Sequence, residues 1–145
     1  MNTLNKEVSL ESLYRFLQLM DSEYIPPLSE KIELRSFAEK LIRYANLFCE
    51  FDKEGEIKGL VAVYANDFER QYAYIPIVGI SPSHRGEGIA TRLVGRAIEL
   101  VKGYNGRIKV MGLYSNNPIA IQLYHKYGFK NLQEENGRVY MELIL

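Results

Sequence analysis

Apolar residues fall into two rhythms along this chain, and the rhythm changes several times. After Ser9, a residue suited to cap a helix, Leu10, Leu13, Tyr14, Leu17 and Met20 recur at helical spacing. Pro26-Pro27 cannot continue a helix. Ser29 then reads as the cap of a second helix, with Ile32, Leu34, Phe37, Leu41 and Ile42 as its apolar set. Strand patterns follow over Leu47–Phe51, Ile57–Tyr64 and Tyr72–Ile80, with turns at Asp52–Glu56 and Ala65-Asn66-Asp67. Ile89, Ala90, Leu93, Val94, Ala97, Ile98 and Val101 return to helical spacing, and Gly103 stands where a left-handed residue would end that helix. Arg107–Tyr114 is a strand. Asn117-Pro118 opens a helix that closes at Gly128, and Phe129–Glu135 and Arg138–Leu145 form a hairpin through Asn136-Gly137.

The order is helix, helix, three strands, helix, strand, helix, two strands. Short turns join antiparallel neighbours, while the strand–helix–strand step over residues 72–114 calls for one parallel pair. The expected fold is α/β (α+β): a mixed, mostly antiparallel central sheet flanked by helices. A length of 145 residues fits a single domain over 1–145, and a hydrophobic content of 47% is enough to build its core.

Eighteen basic and eighteen acidic residues balance, which argues against a nucleic-acid binder. The single cysteine, Cys49, excludes an intrachain disulfide and lies in an apolar stretch as buried filler. The first residues, MNTLNKEVSLES, carry charges and no apolar run, and no stretch approaches a membrane span. These features point to a cytoplasmic protein without membrane partners.

The most informative segment is Ile77–Thr91, in which a strand ends, a short loop follows and a helix begins. Gly86 and Gly88 permit positive φ and close approach of backbone to a ligand. Free N–H groups at a helix start attract phosphate oxygens, and Arg85, with Arg92 nearby, can add charge-assisted bonds. A tight strand-to-helix turn would need the same glycines. Thr91 stands where a dinucleotide fingerprint has its third glycine, and no G-K-[ST] follows, so neither nucleotide motif fits.

Arg85-Gly-Glu-Gly88-Ile-Ala90 resembles the R-x-x-G-x-G/A signature of the GCN5-related N-acetyltransferases. Downstream, Asn117-Pro-Ile-Ala120-Ile-Gln-Leu-Tyr124-His-Lys-Tyr-Gly128-Phe129 is similar to that family's N-x-x-A-x-x-L-Y-x-x-x-G-F. The resemblance is good from about Glu56 onward and loose before it. It implies the acyl-CoA N-acyltransferase fold and acetyl-coenzyme A as cosubstrate. It further implies that the backbone of Val78, Gly79 and Ile80 pairs with the pantetheine arm. Arg85, Gly86, Glu87, Gly88, Ile89 and Ala90 would hold the pyrophosphate, with Thr91 adjacent. Asn117 would touch the cofactor arm, and Tyr124 would be the general acid at the sulfur. Pro76 and Gly79 would suit the break that opens the cofactor cleft in this family.

Chemistry supports the last role separately. Asn117 and Tyr124 are seven residues apart, two helical turns, and share a face. The expelled thiolate belongs to a thiol with a pKa of about 8.5, and a phenol with a pKa of about 10 stays protonated and can donate to it. Core packing and helix capping are the competing roles for Tyr124 and Asn117. Glu50, Asp67, Glu23, Tyr72 and Tyr74 are conceivable bases, and the residues do not choose among them. His84 and His125 read as surface residues, and no His/Cys/Asp cluster suggests a metal. Without a nucleophile set, direct attack in a ternary complex is expected. The acceptor, a small-molecule or peptide amine, should meet the N-terminal helices and the loop Asp21–Ser29, where Asp21 and Glu23 could attract a cation. A coenzyme A-binding module without turnover and a nucleotide-binding regulator are the alternatives, and sheet edges near the C-terminal hairpin could pair in a homodimer.

Overall fold

The computed structural model describes residues 8–145, so the reading of the extreme N-terminus lies outside the described residues. Six strands form one sheet in the order β1-β2-β3-β4-β6-β5: β1 Asn46–Phe51, β2 Ile57–Asp67, β3 Tyr72–Ile80, β4 Val110–Ser115, β5 Lys130–Glu135 and β6 Arg138–Ile144. Only β3 and β4 run parallel, through the crossover helix α3 (Ile89–Lys102); the other neighbours are antiparallel. Helices α1 (Leu10–Met20) and α2 (Leu34–Tyr44) bury Leu13, Leu17, Ala38 and Leu41 against Leu47, Leu60, Ala62 and Ile77 on one face. On the other face, α3 and α4 (Pro118–Lys126) pack Leu93, Val94, Val101 and Tyr124 against Val61, Ala73, Ile75, Met111 and Met141. Burying each large aliphatic side chain of α3 contributes about 1.5–3 kcal/mol, so its apolar stripe anchors the crossover.

The mixed, mostly antiparallel sheet flanked by helices is as the sequence predicts, but several boundaries differ. The second helix starts at Leu34, not after Ser29: the Glu33 carboxylate caps it by accepting from Ser36 N–H at 2.9 Å. Ser29 instead lies in a short 3-10 turn and bonds Asp21. Ala65-Asn66-Asp67 continues β2 because its backbone still pairs with β3 as far as Asp67↔Tyr72; the turn comes later, with Gln71 at φ 56°. Residues Arg107–Lys109 precede β4 rather than opening it, and Phe129 precedes β5. Gly103 is right-handed at φ −63°, since α3 ends in further turns and the left-handed positions fall at Asn105 and Gly106. The Asn136-Gly137 turn has both residues at positive φ, as a two-residue hairpin requires.

One irregularity shapes the rest of the molecule. Ala62 faces Ile77 and Tyr64 faces Tyr74, so β3 carries one extra residue between these pairs, a bulge at Ile75/Pro76. The bulge inverts the faces: Ile75 packs on the α3 side, whereas Ile77 packs on the α1–α2 side. Pairing of β3 with β4 stops at Ile75↔Leu113. Proline cannot donate to a ladder, so the break falls where the chain loses a donor. Gly79, in contrast, pairs regularly with Leu60 and takes no part in the break.

Candidate active site

Beyond Ile75 the two parallel strands separate, and a cleft of about 1020 Å³ lies between their C-terminal ends. Helices α3 and α4 begin after these same strand ends. The cleft is lined by Val78, Gly79 and Ile80 on one wall and by Ser115, Asn117 and Tyr124 on the other.

The start of α3 is unusual within this fold. Ser9, Glu33 and Asn117 cap α1, α2 and α4 with their own side chains, but Gly88 caps α3 with none. Gly86 and Gly88 are both left-handed, at φ 83° and 76°, which turns the chain sharply into the helix. A Cβ on Gly86 would meet nothing within 4 Å, so the loop surface is open. The first N–H groups of α3, from Ile89, Ala90 and Thr91, therefore have no partner within the helix and form the positive end of its dipole. Gly86, Gly88, Ile89, Ala90 and Thr91 all border the cleft, as does Arg85. Glu87 is exposed, contacts His84 at 3.3 Å and does not line the cleft with its neighbours.

Arg85 Nη2 donates to Glu23 Oε1 at 2.8 Å, which ties the phosphate-type loop to the segment after α1. Arg92 departs from its expected place. It forks onto both Glu50 oxygens at 2.7 and 2.8 Å and donates to the Glu87 carbonyl, so its guanidinium points back to β1 rather than into the cleft. Those hydrogen bonds from Arg92 hold the Glu50 carboxyl below the usual carboxylate range. Glu50 is thus a structural ion-pair partner outside the cleft. Asp67 holds the β2–β3 turn by accepting from Arg70 N–H at 3.1 Å. Tyr72 bonds Tyr140 at 2.6 Å, and Tyr74 packs edge-on against Tyr114. None of these four lines the cleft.

Tyr124 is 3% exposed, with its ring edge-on to Phe129 at 5.8 Å between centroids, yet it borders the cleft. Burial pushes its phenol well above the ordinary tyrosine range, so it is protonated at any physiological pH. Asn117 accepts from Ile119 and Ala120 N–H at 2.9 and 3.2 Å, which makes it the helix cap and leaves its NH2 group for other use. His84 borders the cleft, while His125 is exposed and bonds Asn131 at 2.8 Å.

Three cleft residues escaped the sequence reading. Tyr24 donates to the Val78 carbonyl at 2.7 Å across 54 residues of chain. A Cβ at Gly79 would stand 2.9 Å from that phenol oxygen, so the glycine admits Tyr24. Because strand residues alternate their backbone direction, Val78 and then Ile80 turn their backbone groups toward the cleft, away from β2. Asn116 Nδ2 donates to the Ile25 carbonyl at 2.6 Å, joining the two walls, and Arg138 lies over the Tyr114 ring at 3.9 Å. Only the double proline flagged the first loop, and nothing local marks its long-range partners.

A family model described as the acetyltransferase (GNAT) family matches residues 12–129. The chain belongs to that family, and its fold is that of the acyl-CoA N-acyltransferases. Among curated proteins, an uncharacterized N-acetyltransferase of Methanocaldococcus jannaschii is 33% identical over 73 residues, 50% of this chain and 32% of that protein. An L-methionine sulfoximine/L-methionine sulfone acetyltransferase of Salmonella typhimurium is 33% identical over 52 residues, 36% of this chain and 30% of that protein. The matches thus span about a third of these relatives' lengths. Among solved structures, the PaiA N-acetyltransferase of Thermoplasma acidophilum in complex with coenzyme A superposes with a TM-score of 0.69 at 16% identity, covering 96% of each chain. Among the described residues no helix is long and apolar enough to cross a membrane, and no group of metal-type side chains lies together.

Proposed function

We propose that this acyltransferase takes the acetyl group of acetyl-coenzyme A and passes it directly to an amine. The observation that carries this reading is the uncapped, doubly left-handed start of α3, opening on a cleft that Tyr124 borders. In this reading the N–H groups of residues 86–91 hold the diphosphate, with Arg85 as the charged partner. Val78 and Ile80 present their backbone to the pantetheine arm as a neighbouring strand would. The Val78 carbonyl already accepts from Tyr24, and its second lone pair remains for an amide of the arm.

The amine nitrogen attacks the thioester carbonyl carbon, the C–N bond forms, and the C–S bond then breaks. Tyr124 donates its proton to the leaving thiolate. Burial keeps that phenol protonated, which suits it as an acid and excludes it as a base near neutral pH. The amine must shed a proton, and Glu23 is the only carboxylate bordering the cleft among the described residues. It is engaged by Arg85, so proton removal is assigned to solvent at the cleft mouth.

The test is acetyl-CoA-dependent thiol release with a panel of amines, read beside coenzyme A binding by calorimetry. Thiol release that requires both an amine and the acetyl donor supports the reading. Tight coenzyme A binding without turnover on any amine would make the chain a binding module instead.

A further inference from the structure

The acceptor wall of the cleft carries a charge pattern that the proposed acetyl transfer does not explain. Among the described residues, Glu23 is the one acidic side chain on the cleft, and it is paired with Arg85 at 2.8 Å. Asp21 accepts from Ser29 N–H and Oγ at 2.8 and 2.6 Å and is equally engaged. In the loop expected to attract a cationic amine, both carboxylates are thus already engaged, Glu23 by Arg85 and Asp21 by Ser29.

Among the described residues, the basic side chains bordering the cleft are Lys31, His84, Arg85, Lys126 and Arg138, and the last three divide between the two walls. Arg85 stands at the α3 loop, and Lys126 ends α4 next to Tyr127, whose phenol reaches the Thr91 carbonyl in the first turn of α3. Arg85 adjoins the proposed diphosphate. Arg138 is on the opposite wall: it opens β6, next to Val139, which pairs with Ser115 at the end of β4. Its neighbour Tyr114 falls on the sheet face away from α3, since Leu113 packs on the α3 side. An acceptor there would approach the thioester from the face opposite α3.

Arg138 has the features of a prepared but unused anion site. Its guanidinium stacks on Tyr114 at 3.9 Å, which fixes its plane. Its Nε is buried without a hydrogen-bond partner. Among the described residues its one ion-pair contact, Nη2 to Glu135 at 3.8 Å, is too long for a hydrogen bond and is solvent-exposed. The Nη edge is therefore left for a ligand. The same cleft exposes Ile25 at 80% and Ile32 at 37%, beside the polar Lys31 and Asn116.

We propose that the acceptor is a small amino acid with an uncharged side chain, whose carboxylate is held by Arg138. The inference rests on the amine-acetyltransferase reading, and its test separates the two. Thiol release from acetyl-CoA is measured with L-leucine, L-methionine and L-phenylalanine, each beside its amide and its decarboxylated amine, and with spermidine and glucosamine. The expected result is turnover of at least one acid in clear preference to its amide and amine. Arg138→Gln should lower the acid-to-amide ratio of kcat/KM by about ten- to a hundredfold, the effect of losing a charged hydrogen bond, chiefly through KM for the acid. Arg138→Lys, which keeps the charge, should restore part of it. Turnover confined to spermidine, glucosamine or the carboxylate-free amines would overturn the carboxylate site while leaving acetyl transfer standing. If no amine is turned over, thermal stabilisation of the coenzyme A complex by the acids but not their amides, lost in Arg138→Gln, would uphold the site and sink the transfer reading. An Arg138→Gln protein with undiminished preference for the acid would also overturn the assignment.

Discussion

Helices α3 and α4 both begin where a parallel strand ends, and both border one cleft, yet their first turns are built in opposite ways. α4 closes itself: Pro118 fills the first position, where no N–H is needed, and the Asn117 oxygen takes two of the orphan N–H groups. α3 leaves the equivalent groups bare behind two left-handed glycines. A helix start capped by glycine rather than by a side chain gives up roughly a few tenths of a kcal/mol. The same fold applies the cap at three other helices, so its absence at α3 marks the place where a ligand can supply the acceptors. In the proposed mechanism α3 offers its backbone and α4 offers a side chain two turns further in.

The sharpest way to break this contrast is to remove what α4 contributes. Tyr124→Phe keeps the buried ring against Phe129 and deletes only the hydroxyl. General acid catalysis typically contributes 10²–10⁴-fold, and a thiolate is a good leaving group, so kcat should fall by about a hundredfold. Affinity for coenzyme A, measured by calorimetry, should stay near wild type. Unchanged turnover at saturating substrates would remove Tyr124 from the mechanism.

The complementary change converts α3 into a helix like α4. Gly88→Asp places a capping carboxylate at the open start. Aspartate tolerates left-handed backbone better than most residues, and the new Cβ would stand 3.2 Å from Arg92 Nη1, which must shift slightly against its bond to the Glu87 carbonyl. The fold should survive while the carboxylate competes with phosphate for the same N–H groups. Two like charges about 4 Å apart near a protein surface repel by up to about 4 kcal/mol. Half of that weakens coenzyme A about thirtyfold. An unchanged dissociation constant would move the diphosphate elsewhere.

Both helix starts were legible in the sequence because each is encoded locally, by Gly-x-Gly and by Asn-Pro. The sheet was legible for a similar reason: turn residues such as Gly55 and Asn136-Gly137 divide its runs, and its one parallel step is forced by the crossover helix. Pro76 announced the break in β3, although the burial alternation of the strand runs on unbroken while its faces invert. What could not be read was whatever depends on distant partners. Arg92 sits beside the glycine loop in sequence, but Glu50 on β1 draws it away. Glu23 and Asp21 look like free acids until Arg85 and Ser29 fold onto them. Tyr24 has no local signal because its partner, the Val78 carbonyl, exists only once β3 has left β4.

The smallest expected effect separates the two jobs of Asn117. Its oxygen caps α4, and its NH2 group is free to touch the cofactor arm. Asn117→Ala removes both and should cost about 1 kcal/mol, lowering Tm by about 2–4 °C for a chain of this size. Asn117→Asp keeps an oxygen acceptor and adds a charge favoured at a helix start, so Tm should hold or rise slightly. If the NH2 group donates to the arm, both variants should weaken coenzyme A by about fivefold, the value of one ordinary hydrogen bond. Weakening in the alanine variant alone would instead mean that Asn117 acts on the ligand only by keeping α4 wound, with Tyr124 held at the cleft as the consequence.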